Sequence, residues 1–202
     1  MKLQSALAAV VRVGDGRGFV IGERDRYIVT AAHCLPALPP AASIAYSADR
    51  TYSGLLAPLG ESPAIWSECI FVDPIADIAV LSPVDRQELY DQAVAYDDLA
   101  DATTPFRMGE PSGDCTAYAL SLGNEWFPVN VWMHASGPLW LLDAAQPIEG
   151  AMSGSPIVAE DGSAVGVIAC SGCGREVTHH ENVPCPTLAH HLPGWLLRDA
   201  VA

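Results

Sequence analysis

The chain has 202 residues, with 10 Lys+Arg against 24 Asp+Glu, a formal net charge of -14 and a hydrophobic share of 50%. That composition supports a packed core and excludes intrinsic disorder. Its acidity argues against a nucleic-acid backbone or an anionic membrane surface as partner, and its longest apolar runs fall well short of the ~18 residues of a membrane span.

Read in chain order, Met1-Lys2-Leu3-Gln4-Ser5-Ala6 opens like a weak export signal, but Arg12, Asp15 and Arg17 end the apolar run early. The expectation is a first strand here and a cytoplasmic protein. The 17 Gly and 16 Pro cut the chain into short apolar segments of strand length. The first series is 8–13, 18–21, 27–30, 42–46, 50–56, 68–72 and 78–82. A polar connector follows, with Asp85, Glu88, Asp91, Asp97, Asp98 and Asp101, read as a solvated stretch of some helical character. The second series is 115–120, 126–134, 139–142, 155–158 and 164–169. At the end, Leu188, His191, Leu192, Trp195, Leu196 and Asp199 form a roughly helical stripe that Pro193-Gly194 interrupts. The expected organisation is one domain: lobe one over about 1–84, the connector over about 85–104, lobe two over about 105–186, and a C-terminal helix over about 187–202.

Three segments carry chemistry. Tyr27-Ile28-Val29-Thr30-Ala31-Ala32-His33-Cys34 is a strand followed by small residues, which let the backbone turn and project the imidazole into a cleft. Asp73-Pro74-Ile75-Ala76-Asp77-Ile78-Ala79-Val80-Leu81 sets Asp77 at the head of an apolar strand, where its carboxylate can accept from a histidine N–H. Glu149-Gly150-Ala151-Met152-Ser153-Gly154-Ser155-Pro156 places Ser153 among small residues, with room for an incoming carbonyl. Each segment alone is ordinary: a structural histidine, a turn-capping aspartate, a Gly/Ser turn. Together they supply a weak nucleophile, its base and the acid that orients the base.

The combination resembles the chymotrypsin-like (trypsin-like, S1-type) serine peptidases. The resemblance rests on Thr30-Ala31-Ala32-His33-Cys34, Asp77-Ile78-Ala79-Val80-Leu81 and Gly150-Ala151-Met152-Ser153-Gly154-Ser155-Pro156. Gly18-Phe19-Val20-Ile21 and Ala164-Val165-Gly166-Val167-Ile168-Ala169 add to it, so that it spans about residues 8–200. It implies an all-β fold of two six-stranded antiparallel β-barrels, an active site between them, and a C-terminal helix packed on the first barrel. It also implies a serine endopeptidase acting on protein or peptide substrates without a cofactor. His33 would be the general base, Asp77 its orienter and Ser153 the nucleophile, with the Ala151 and Ser153 N–H groups as oxyanion hole. The substrate pocket would be built by Pro147 and Ile148 at its base and by Ala169, Cys170 and Ser171 along its wall. No acid matches the aspartate that makes trypsins prefer Lys or Arg, so a small or apolar residue is expected before the scissile bond.

The chain also departs from that family. Ala151 stands where glycine is usual, and alanine resists positive φ, so the oxyanion donor would point the wrong way at rest. Met152 replaces the aspartate of zymogen-activated members, and no Ile-Val-Gly-Gly-type start exists. Control by a new N-terminus is therefore not expected, and the expectation is constitutive activity or an activating partner, as in the bacterial intracellular and HtrA-like branch. A catalytically silent or partner-activated binding module is the alternative reading. Of the six cysteines, Cys34 lacks its usual disulfide partner, Cys69 and Cys115 stand apart, and Cys170, Cys173 and Cys185 cluster late with His179. The late set has zinc-ligand types in an irregular pattern, and no metal is assigned. Free thiols and a pairing such as Cys173–Cys185 are the other readings. His134, His190 and His191 are expected to serve packing or surface roles.

Overall fold

The computed structural model describes residues 3–40, 47–135, 137–169 and 183–200. They form two six-stranded antiparallel barrels. The first contains β1 (Val10–Val13), β2 (Gly16–Ile21), β3 (Tyr27–Thr30), β4 (Thr51–Pro58), β5 (Ile65–Asp73) and β6 (Ile78–Ser82). It closes in the order β1-β2-β3-β6-β5-β4. The second contains β7 (Cys115–Leu120), β8 (Trp126–Met133), β9 (Pro138–Leu142), β10 (Pro156–Ala159), β11 (Ala164–Val167) and β12 (Val183–Pro186). Its order is β11-β10-β7-β8-β9-β12, and a bridge between Gly166 and Thr187 nearly joins the two edges. Short helices Leu188–His191 and Gly194–Ala200 end the described chain.

The strand boundaries follow side-chain chemistry. β8 alternates Phe127, Val129 and Val131 inward with Pro128, Asn130 and Trp132 outward, the period-2 pattern of a sheet with one buried face. β2 is buried along its whole length. One face fills the first barrel and the other meets lobe two, where Phe19 stacks edge-on to Phe106 and Phe106 to Trp126, with ring centroids 5.7 and 6.5 Å apart. The Phe106 N–H also donates to the Val20 carbonyl at 2.9 Å.

Some elements depart from the sequence reading and others, the helix in the connector and the interrupted terminal helix, sharpen it, each for a local reason. β1 begins at Val10, because the alanine-rich stretch before it forms short helical turns at Leu3–Ala6 and Leu7–Ala9. β12 was not expected, since Pro184 and Pro186 demote a strand. It forms at a sheet edge, and among the described strands it pairs with β9 alone. The connector carries a 12-residue helix, Tyr90–Asp101. Buried Tyr96 pins that helix to the first barrel through its hydroxyl, which lies 3.0 Å from the Leu81 carbonyl and 3.2 Å from that of Arg26. Pro193 splits the terminal helix in two, as its missing N–H requires. Leu188, Leu192 and Leu196 are buried in the hydrophobic cluster that joins the first barrel to residues of lobe two. The expected strand at 42–46 lies outside the described residues.

Candidate active site

His33 sits in a single 3-10 turn, Ala32–Cys34, just after β3. The turn is pinned to Asp77 three times. The Ala32 N–H donates to the Asp77 carbonyl at 3.1 Å, and the His33 N–H donates to Asp77 Oδ1 at 3.0 Å. His33 Nδ1 lies 2.6 Å from Asp77 Oδ2. Asp77 heads β6 with φ 55, a left-handed conformation that a non-glycine residue adopts at a cost. The preceding turn holds it there: Asp73 Oδ1 accepts the N–H groups of Ile75 and Ala76 at 2.9 and 3.0 Å. The hydrogen bond to Asp77 raises the His33 pKa above its ordinary 6.5, against partial desolvation, and the negative charge of Asp77 adds to the rise.

Ser153 lies at the end of a 3-10 turn, Gly150–Met152, in lobe two. Its C-terminal flank is fixed to both lobes. The Ser153 carbonyl accepts from the Arg17 N–H on β2 at 2.8 Å, and the Gly154 N–H donates to the Ile168 carbonyl at 2.7 Å. Gly154 has φ 83, and a Cβ there would lie 1.8 Å from the Arg17 carbonyl oxygen. No other residue fits so close a crossing of the two chains. The half-buried Cys34 thiol also meets the Ser153 carbonyl, at 3.7 Å, and burial pushes its pKa up to about 11. A Cβ on Gly16 would lie 2.5 Å from that sulfur, so the thiol fills the space a side chain at 16 would need.

The N-terminal flank of Ser153 is not the open oxyanion hole that the family resemblance implies; it is closed, in keeping with the departure at Ala151. The Ser153 N–H donates to the Gly150 carbonyl at 3.1 Å, and its hydroxyl donates to the same carbonyl at 2.7 Å. The expected oxyanion donor is therefore consumed by a neighbouring carbonyl, and the Gly150 oxygen holds the Ser153 N–H that a developing oxyanion would need. The cause is local. With Ala151 in the helical region, the turn closes on itself, and Met152, 1% exposed, anchors it in the core of lobe two. Ser153 itself is only 2% exposed.

Ala169 lines a cavity of about 410 Å³ together with Asp77, Ile75, Pro138, Cys185 and His191. Pro147 and Ile148 are not part of it; Ile148 instead packs against the core of lobe two. Cys170, Ser171, Cys173 and His179 lie outside the described residues. Among the described residues, no group of three or more His, Cys, Asp or Glu could hold a metal ion, and Cys34, Cys69 and Cys115 are free thiols. His134 stacks edge-on against Trp132 at 5.6 Å. Two participants escaped sequence reading. The Gly150 carbonyl carries no side-chain signal. Arg17 does carry one, a charged residue between two glycines in an apolar strand.

Residues 16–167 match the family model described as a trypsin-like peptidase domain. The chain belongs to the trypsin-like peptidase domain family. No curated protein matches it. The match spans more than half of the chain and holds all three segments singled out above, with His33, Asp77 and Ser153 inside it.

Proposed function

We propose that this trypsin-like domain is a serine endopeptidase that acylates at Ser153 and rests in a latent conformation. The carrying observation is the 2.6 Å contact between His33 Nδ1 and Asp77 Oδ2 on the lobe facing the anchored Ser153. Asp77 fixes the imidazole tautomer with its proton on Nδ1, leaving Nε2 to act as base. In the working enzyme the Ser153 hydroxyl turns from the Gly150 carbonyl to His33 Nε2. His33 takes the proton as Oγ attacks the substrate carbonyl carbon, then returns it to the leaving amine as the C–N bond breaks. Water repeats the sequence in reverse and releases the acid. The negative oxygen of each tetrahedral intermediate needs the Ala151 and Ser153 N–H groups, so the Gly150–Ala151 peptide must first turn over.

The alternative, a catalytically silent or partner-activated module, is favoured by the same Gly150 contact. The two readings separate on intact-mass analysis after treatment with a fluorophosphonate. A single adduct on the wild type that is lost in Ser153→Ala and in His33→Ala supports the peptidase. A folded wild type that takes no adduct, even with a candidate activating partner, supports the silent module.

A further inference from the structure

Arg17 is a charged residue in a strand of the first barrel that is buried along its whole length, and is only 5% exposed. None of the ion pairs among the described residues includes it. Its guanidinium is instead received by neutral oxygens of lobe two. Nη1 donates to the Leu120 carbonyl at 3.0 Å, and Nη2 donates to the Leu122 carbonyl at 3.4 Å and to Asn124 Oδ1 at 3.2 Å. Those oxygens belong to the end of β7 and the turn joining it to β8, a turn that is itself well tied. The Ser121 N–H donates to the Glu125 carbonyl at 2.9 Å, the Asn124 N–H to the Ser121 carbonyl at 3.0 Å, and the Glu125 N–H to Ser121 Oγ at 3.0 Å. Asn124 holds φ 64 there, which aims its side chain back at the guanidinium.

Burying a cation without a counter-charge is expensive, and desolvation lowers the Arg17 pKa accordingly. The same residue meets the nucleophile through its backbone. Its N–H holds the Ser153 carbonyl, and its own carbonyl accepts from Thr30 Oγ1 at 2.6 Å, three residues before His33. Arg17 thus touches the β7–β8 turn, the chain at Ser153 and the strand that leads to His33. His33 and Asp77 stand on lobe one and Ser153 on lobe two, so alignment of base and nucleophile depends on the register between lobes.

We infer that Arg17 is a positioning residue that sets this register, its guanidinium locking β2 onto the β7–β8 turn so that its backbone holds Ser153 in line with His33. Its chemical consequence rests on the peptidase reading; its mechanical consequence rests on the contacts alone. Removing the guanidinium frees β2 to slide against lobe two and takes a donor from each of three oxygens. A misplacement of about 1 Å at a reacting pair costs roughly a hundredfold in rate.

The test follows Arg17→Met, Arg17→Lys, Arg17→Ala with and without N-ethylguanidinium, and Asn124→Gly. Asn124→Gly keeps the positive φ, removes one oxygen from the cup, and serves if the Arg17 variants do not fold. Two readouts are taken on the intact chain: amide hydrogen exchange over 150–155 with 65–82 as internal reference, and the fluorophosphonate inactivation constants. Arg17→Met should speed exchange over 150–155 and lower the maximal inactivation rate about ten- to hundredfold, with half-saturation unchanged. Asn124→Gly should move both in the same direction by less, and N-ethylguanidinium should restore Arg17→Ala. Unchanged exchange over 150–155 and an unchanged maximal rate in folded variants that melt earlier would overturn the inference, reducing Arg17 to a stabilising residue. If the wild type takes no label, the peptidase reading fails, and the exchange data alone decide whether Arg17 couples the lobes.

Discussion

On the peptidase reading, Ala151→Gly should activate Ser153, and the size of the effect follows from the backbone conformation of residue 151. Turning the Gly150–Ala151 peptide over changes φ of residue 151 by about 180°. Residue 151 now lies in a 3-10 turn with negative φ, so the flipped state carries it to positive φ. An L-residue pays roughly 1–2 kcal/mol for left-handed backbone, and glycine pays almost none. Glycine also weakens the closed turn by a fraction of a kcal/mol, in the same direction. Removing about 1–2 kcal/mol from the opening equilibrium corresponds to an increase of about 5- to 30-fold in the open fraction. Because only the open state stabilises the oxyanion, the second-order rate of fluorophosphonate labelling should rise by the same factor. The assay compares initial labelling rates of wild type and variant at one pH and reagent concentration. A rate that stays the same or falls, in a variant with unchanged melting temperature, would refute the view that this peptide gates the site.

Asp77→Asn should lower the labelling rate by roughly 10⁴-fold through loss of the correct tautomer. It should also shift the acid limb of the pH–rate profile to lower pH, because the carboxylate that raises the His33 pKa is gone. For stability the sign is fixed by linkage. The contribution from His33 protonation is full below the ordinary histidine value of about 6.5 and is lost as pH rises through the raised folded value. The melting difference between wild type and Asp77→Asn should therefore be larger at pH 5.5 than at pH 8.5, and an equal difference would contradict the pairing. Gly154→Ala should cost about 3 kcal/mol or more in urea unfolding, since its Cβ would fall 1.8 Å from the Arg17 oxygen at φ 83; a loss below about 1 kcal/mol would show that the crossing relaxes easily. Peptides varied only at the residue before the scissile bond should be cut fastest with small or apolar side chains there, and a strong preference for Arg would overturn that expectation.

The strands were legible because their signal is local; their closure into two barrels was anticipated only through the family resemblance. Segments 27–30, 78–82 and 115–120 were bounded by turn residues and matched the observed strands to the residue. The last strand was hidden because Pro184 and Pro186 obey the edge rule only after one knows which strand is the edge. The meeting of His33 and Asp77 was anticipated through the resemblance carried by residues 30–34 and 77–81, since each residue alone reads as ordinary. The position of the Gly150 carbonyl could not be anticipated. It depends on one peptide orientation, which sequence constrains only through the resistance of Ala151 to positive φ. The role of Arg17 is likewise invisible until lobe two supplies the oxygens that receive it, 103 residues away along the chain.

The most direct measurement is a crystal structure of the wild type after reaction with a fluorophosphonate. The account predicts phosphorus bonded to Ser153 Oγ and a phosphonyl oxygen within hydrogen-bond distance of the Ala151 and Ser153 nitrogens. The Gly150 carbonyl should have turned away from both Ser153 contacts. An adduct on Ser153 with the Gly150 carbonyl still bonded to the Ser153 N–H, or an adduct on another residue, would contradict it.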